Sequence, residues 1–120
     1  VDGSGLAARD RLSAATLVAV LRLVAGPTRP ALHAVVAALP VAAWSGTLAG
    51  RYLRGATHRA AGVVRAKTGT LTGVATLAGL VHDRSGRLLG FALMATGNED
   101  TQTAEEHLDA IAARIAACGC

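Results

Sequence analysis

The spacing of apolar positions divides the chain into a helical first part, a strand-rich middle and a closing helix. Leu17, Val20, Leu21 and Val24 recur at helical spacing behind Ser13, a good N-cap residue, and Gly26-Pro27 interrupts the run, which predicts a helix from Ser13 to about Val24. A second short helix is predicted from Pro30 to Ala38, with proline in the first turn and Pro40 as the stop. Residues 1–12 read as a glycine-rich loop, and 40–62 as loop with one helical turn at Leu48–Leu53. From Val63 the pattern becomes β-type: Val63–Thr70, Val74–His82 and Leu88–Thr96 have strand length, and Asp83-Arg84-Ser85-Gly86-Arg87 joins the last two with hairpin chemistry. Residues 102–117 read as an amphipathic helix, with Thr103-x-x-Glu106 as a capping box and Leu108, Ile111 and Ile115 along one face. The fold class is therefore α/β of the α+β kind: N-terminal helices, three antiparallel strands, then a C-terminal helix. Val74–Val81 is apolar on both faces, which implies cover on both sides of that strand.

Composition narrows the classes. The 120 residues are 52% hydrophobic and 17% charged, which excludes disorder, and only 2% aromatic, so Ala, Val and Leu must build the core. The length suits one domain. Arg22, Arg29, His33 and Pro40 break the most apolar stretch below the roughly 18–20 residues that span a bilayer. The net charge of +4 comes from scattered arginines, with Lys67 the sole lysine and few stacking aromatics, so the basicity is a solvated surface and not a nucleic-acid footprint. Cys118 and Cys120 are two ligands at most, and His33, His58, His82 and His107 lack metal spacing, so neither metal nor cofactor is expected.

Two chemical motifs fail on position. A P-loop needs glycine where Ala66 and Ala61 stand, and a nucleophile elbow around Ser4 needs glycine where Asp2 and Leu6 stand. The carboxylate pairs Glu99-Asp100 and Glu105-Glu106 lie around the start of the last helix, where they complement its dipole. What remains is Lys67-Thr68-Gly69-Thr70 on a strand. A lysine there supplies a point charge for a carboxylate, a threonine adds a hydroxyl donor, and glycine opens the backbone to a ligand strand: one wall of an anion-accepting cleft.

The longer run Val63 to Val81 resembles the third active-site motif, K-T-G, of penicillin-recognising serine DD-peptidases. Asp2-Gly3-Ser4-Gly5-Leu6, Leu39-Pro40-Val41-Ala42, Gly46-Thr47-Leu48 and Arg54-Gly55 extend the resemblance, in order, to the D-alanyl-D-alanine carboxypeptidase/endopeptidase family of low-molecular-mass penicillin-binding proteins. The resemblance implies a penicillin-binding-protein/β-lactamase-like transpeptidase fold and acyl transfer on peptidoglycan stem peptides ending in D-Ala-D-Ala, on the extracytoplasmic side, with β-lactams as acylating inhibitors. It implies that Lys67 and Thr70 are catalytic: Lys67 by positive potential, Thr70 by offering its N–H to the oxyanion. The Thr68 and Thr70 hydroxyls would hydrogen-bond the substrate's carboxylate, Gly69 would let the substrate lie antiparallel to the strand, and Ser4 and Leu6 would help form the pocket for the side chain preceding D-Ala-D-Ala. The family's loop continues with Ser-Arg where this chain has Ala7-Ala8, which removes a charged contact.

The other two motifs are not in these residues. S-x-x-K would require serine at 64, which is Val64, and S-x-N would require serine at 96, which is Thr96. The chain therefore reads as the C-terminal segment, 1–120, of one catalytic domain whose remainder supplies the nucleophile and its base. The alternative is a non-catalytic penicillin-binding-like module that holds peptidoglycan without cutting it.

Overall fold

The computed structural model describes residues 3–7, 10–97 and 100–119. Helix α1 spans Ala14–Ala25, and the Ser13 side chain caps it by accepting from the Thr16 N–H. The predicted second helix begins as a 3-10 turn, Pro30–Leu32, and becomes α2 at His33–Ala38. Segment 40–62 differs from the reading above: it holds two 3-10 segments, Gly46–Leu48 and Gly55–Ala60, in place of one turn at Leu48–Leu53. Such short turns carry no 3.6-residue period to read.

Strands β1 (Arg65–Leu71), β2 (Val74–His82) and β3 (Leu88–Thr96) form an antiparallel sheet in the order β1-β2-β3. The first strand starts two residues later than its apolar pattern suggests, because the N–H groups of Val63 and Val64 bond back to the Ala60 carbonyl. Register places Lys67 opposite Ala78, Thr68 opposite Leu77 and Thr70 opposite Ala75. Gly79 lies opposite Ala66, where a Cβ would overlap the Arg65 carbonyl oxygen and the Ala66 backbone, so only glycine admits this approach of β1 to β2.

Helix α3 (Thr101–Ala116) closes one face of the sheet. Its cap is Asp100, which accepts from the Gln102 N–H and from the Thr103 hydroxyl, so Thr103 occupies the third helical position and is not the capping residue. The buried stripe also differs from the expected one. Ala104, Leu108, Ala112, Ala113 and Ala116 face inward, whereas Ile111 is exposed, because the small alanines let the helix lie close on β2. Under it sit Leu48, Val64, Leu77, Val81 and Phe91. On the opposite face α1 covers β3 and part of β2 with Leu21 and Val24, beside buried Leu80. That cover is partial, since Thr76 and Ala78 are half-buried and Met94 is exposed. No helix among the described residues is long and apolar enough to cross a membrane.

Candidate active-site wall

The outer edge of β1 is paired only at its start. Ala66 N–H donates to the Pro40 carbonyl and Ala42 N–H to the Val64 carbonyl, 2.9 Å each, which fixes the direction of the backbone groups along the whole strand. Backbone groups alternate sides residue by residue. The N–H and C=O of Thr68 and Thr70 therefore point the same way as those of Ala66, outward, and no backbone hydrogen bond occupies that edge from Lys67 to Leu71 among the described residues. An unpaired edge of this kind is a template for a further strand.

Side chains divide by parity. Lys67 and Gly69 share the face with Ala78 and Thr76, and Thr68 and Thr70 share the face with Leu77 and Ala75. Lys67 is exposed, and its ammonium donates to the outward Thr68 carbonyl at 2.5 Å, so its charge lies across the open edge. Thr68 Oγ1 donates to Thr47 Oγ1 at 2.9 Å. Thr70 Oγ1 donates to Glu105 Oε1 at 2.7 Å. The Thr76 hydroxyl donates to the Gly69 carbonyl at 3.2 Å and occupies the place a Cβ on Gly69 would take. Gly69 thus keeps the strand flat against Thr76 where a ligand would pass.

Behind Thr70 lies a charged brace. Arg51 clamps Asp109 with two bonds, Nε to Oδ2 at 2.8 Å and Nη2 to Oδ1 at 2.7 Å, and reaches the Glu105 backbone carbonyl at 3.3 Å and its carboxylate at 3.6 Å. Burial works against the Arg51 charge, but the Asp109 and Glu105 carboxylates outweigh it and hold the guanidinium pKa above its ordinary value. Burial also pushes the Tyr52 phenol up, and the adjacent Asp109 pushes it further. The Tyr52 hydroxyl is nonetheless buried without a hydrogen-bond partner among the described residues, on a residue held at φ 61°, in the left-handed region. Together these groups line an open groove of about 830 Å³ that runs past Thr70 between α3 and the 50–54 loop.

The chain matches the D-Ala-D-Ala carboxypeptidase 3 (S13) family over residues 1–117. It belongs to that family. Among relatives of this S13 chain, carboxypeptidase DacB of Mycolicibacterium smegmatis is 51% identical across all of the chain and 26% of its own length. A carboxypeptidase of Mycobacterium tuberculosis is 46% identical, with the same shares covered. The D-alanyl-D-alanine carboxypeptidase of Actinomadura sp. is 41% identical over 96% of the chain and 21% of its own length. Penicillin binding protein 4 (dacB) from Haemophilus influenzae, solved with a β-lactam, superposes with a TM-score of 0.79 at 26% identity, covering 94% of the chain and 27% of that protein. The S13 chain thus spans about a quarter of the length of the relatives it matches.

Of the residues singled out from sequence, Lys67, Thr68, Gly69 and Thr70 stand together along the edge of β1. Ser4 and Leu6 sit on a separate exposed loop, where the Leu6 N–H donates to Ser4 Oγ at 3.1 Å and the Leu6 side chain is 75% exposed. The four histidines are exposed, as expected. The pair Cys118 and Cys120 falls partly outside the described residues, as does Glu99 of the Glu99-Asp100 pair.

Sequence reasoning missed Thr47, Arg51, Glu105 and Asp109. Thr47 was visible as part of the Gly46-Thr47-Leu48 match, without a role. The carboxylate pattern places Glu105 at the helix dipole, but the first turn of α3 holds no acidic residue, and Glu105, one turn further on, faces β1. Arg51 and Asp109 are 58 residues apart in sequence, and nothing local to either one signals the other.

Proposed function

We propose that these 120 residues are the C-terminal part of one serine DD-peptidase catalytic domain, and that the full protein is a D-Ala-D-Ala carboxypeptidase/endopeptidase of the extracytoplasmic side. The observation that carries this reading is the edge of β1, unpaired from Lys67 to Leu71 among the described residues, with the Thr68 and Thr70 N–H groups aimed outward. A stem peptide ending in D-Ala-D-Ala lies antiparallel to that edge, admitted by Gly69. Lys67 supplies positive potential to its terminal carboxylate, and the Thr68 and Thr70 hydroxyls flank the same group. The nucleophilic serine and its lysine base come from the rest of the domain. As the serine oxygen bonds to the scissile carbonyl carbon, its proton passes to that base and then to the departing D-Ala amine; water later hydrolyses the ester. The Thr70 N–H donates to the oxyanion that forms in each step. Ser4 and Leu6 border the pocket for the preceding side chain. β-Lactams carry a carboxylate beside a reactive carbonyl and occupy the same wall.

Labelling with a fluorescent penicillin tests this. The full protein should be labelled covalently and the isolated 120-residue fragment should not. Lys67→Ala in the full protein should slow acylation by roughly 100-fold or more, the scale of a well-placed electrostatic partner. An unlabelled full protein would support a peptidoglycan-holding module instead, and an unchanged Lys67→Ala rate would make the motif structural only.

A further inference from the structure

The peptide group between Gly69 and Thr70 has different neighbours on its two sides. A trans peptide is planar, with its N–H and C=O on opposite sides of the chain. The Thr70 N–H points out of the open edge of β1, so the Gly69 carbonyl points inward to β2, where Gly69 stands opposite Thr76. There the Thr76 side chain adds a bond beyond what strand pairing requires: its hydroxyl donates to the Gly69 carbonyl oxygen at 3.2 Å. A carbonyl has two lone pairs and can accept from both the ladder and the hydroxyl. Thr76 is half-buried and is the one hydroxyl-bearing residue of β2. The bond depends on glycine at position 69. A Cβ there would overlap Thr76 Oγ1, so the cross-strand pairing of glycine with threonine is what lets a side chain reach that carbonyl.

We propose that Thr76 is a positioning residue for the acyl transfer: by donating to the Gly69 carbonyl it holds the plane of the Gly69–Thr70 peptide and draws electron density from its nitrogen, which makes the Thr70 N–H a stronger donor to the oxyanion. This rests on the function proposed above, in which the Thr70 N–H is an oxyanion donor, and adds a residue that acts only through that peptide. Hydrogen bonds in a chain polarise one another by roughly 10–30% each. An oxyanion donor is worth about 100–1000-fold in rate, so the Thr76 share, taken on a logarithmic scale, is about threefold. The negative charge is on the oxygen in the transition state, so the effect falls on bond formation and not on the binding that precedes it.

The experiment follows the full protein with a fluorescent penicillin by stopped flow. It resolves the dissociation constant of the first complex, the saturating acylation rate and the hydrolysis rate of the acyl-enzyme, with a thermal melt of each variant. Thr76→Val keeps the branched shape and removes the donor. It should lower acylation and acyl-enzyme hydrolysis by the same factor, about threefold, because both pass through an oxyanion at the Thr70 N–H, and should leave the first complex unchanged. Thr76→Ser keeps the hydroxyl and should restore both rates. Infrared difference spectra of the acyl-enzyme should show the ester carbonyl stretch at higher frequency in Thr76→Val than in wild type, since a weaker donor polarises it less; a threonine that only fills space would not move it.

Unchanged rates in a folded Thr76→Val protein overturn the proposal. So does a loss confined to the first complex, or a Thr76→Ser protein as slow as Thr76→Val. If Thr76→Val does not fold, Thr76→Ala against Thr76→Ser makes the same comparison, and equal rates in those two overturn it as well. A wild-type protein that is not labelled removes the functional reading and this proposal with it, whereas a labelled wild type with an unaffected Thr76→Val removes this proposal alone.

Discussion

Arg51→Met breaks the brace behind Thr70 at its most buried point. The Arg51 and Asp109 side chains are only 16% and 8% exposed, so the pair is largely out of water. With charge centres about 4 Å apart and an effective dielectric near 20, their attraction is roughly 4 kcal/mol. Methionine restores most of the Arg51 stem volume but leaves the Asp109 carboxylate desolvated and unpaired, and removing one partner of a buried pair costs about 3–5 kcal/mol. We expect about 3 kcal/mol, because Asp109 keeps some access to water. Hydrogen exchange reads this locally: protection of the α3 amides around Glu105–Ala113 should fall roughly hundredfold. In the double variant Arg51→Met, Asp109→Leu neither charge remains, and protection should return to within about 1 kcal/mol of wild type. Two results would refute the reasoning: a loss below about fivefold in Arg51→Met, or a double variant no better protected than the single one.

Three further outcomes follow from the same structure. The Asp83 carboxyl is held below its usual value of 3.8, first by the Arg87 N–H and also by the Arg87 side chain and the Ser85 N–H, against the opposing effect of burial. Its stabilising share is therefore complete above that value and fades as pH falls through it. Asp83→Asn should then flatten the decline in melting temperature below about pH 4; equally steep acid limbs in thermal melts of the two proteins would contradict this. Tyr52→Phe removes a buried hydroxyl that has no partner, so urea unfolding should show stability unchanged or raised by about 1 kcal/mol, and a loss beyond 1 kcal/mol would reveal a bond to that oxygen. Gly79→Ala forces a Cβ into the β1 backbone and should destabilise by at least about 3 kcal/mol, with β1 exchanging first; a variant as stable as wild type would mean that β1 can move away freely.

The edge of β1 connects fold to site. Segment 40–42 pairs antiparallel with 64–66, so the residues that would continue along Lys67 and Thr68 are Leu39 and Ala38, and the pairing stops at Pro40 because Ala38 ends helix α2. The helix that precedes Pro40 thus leaves the strand open beside its lysine. On the other side of the pairing, the 3-10 segment Gly46–Leu48 brings Thr47 to the Thr68 hydroxyl at the wall.

Much of the fold is legible in the sequence alone. Strands β2 and β3 begin and end where their apolar runs meet turn residues, and α1 follows its cap and its Gly26-Pro27 stop. These features depend on neighbours a few positions apart, which a linear pattern records. The start of α3 was misplaced because Asp100 and Thr103 are both good caps, and only the finished turn shows which one accepts the backbone N–H. The inward alanines of α3 were missed because alanine carries no strong burial signal, and what decides its placement is how closely the helix approaches the sheet.

By itself, then, the sequence determined the α+β order, the single lysine of the K-T-G motif and, by residue count, that neither S-x-x-K nor S-x-N lies within these residues. Tertiary structure alone decided which edge of β1 is open, which partner each motif threonine hydroxyl bonds, and that Arg51, Glu105 and Asp109 stand behind the wall. The physical reason is one of range. Secondary structure and motif chemistry are set by contacts a few residues apart, whereas the direction of a hydroxyl proton depends on an acceptor brought from 35 residues away by the packing of a helix on a sheet.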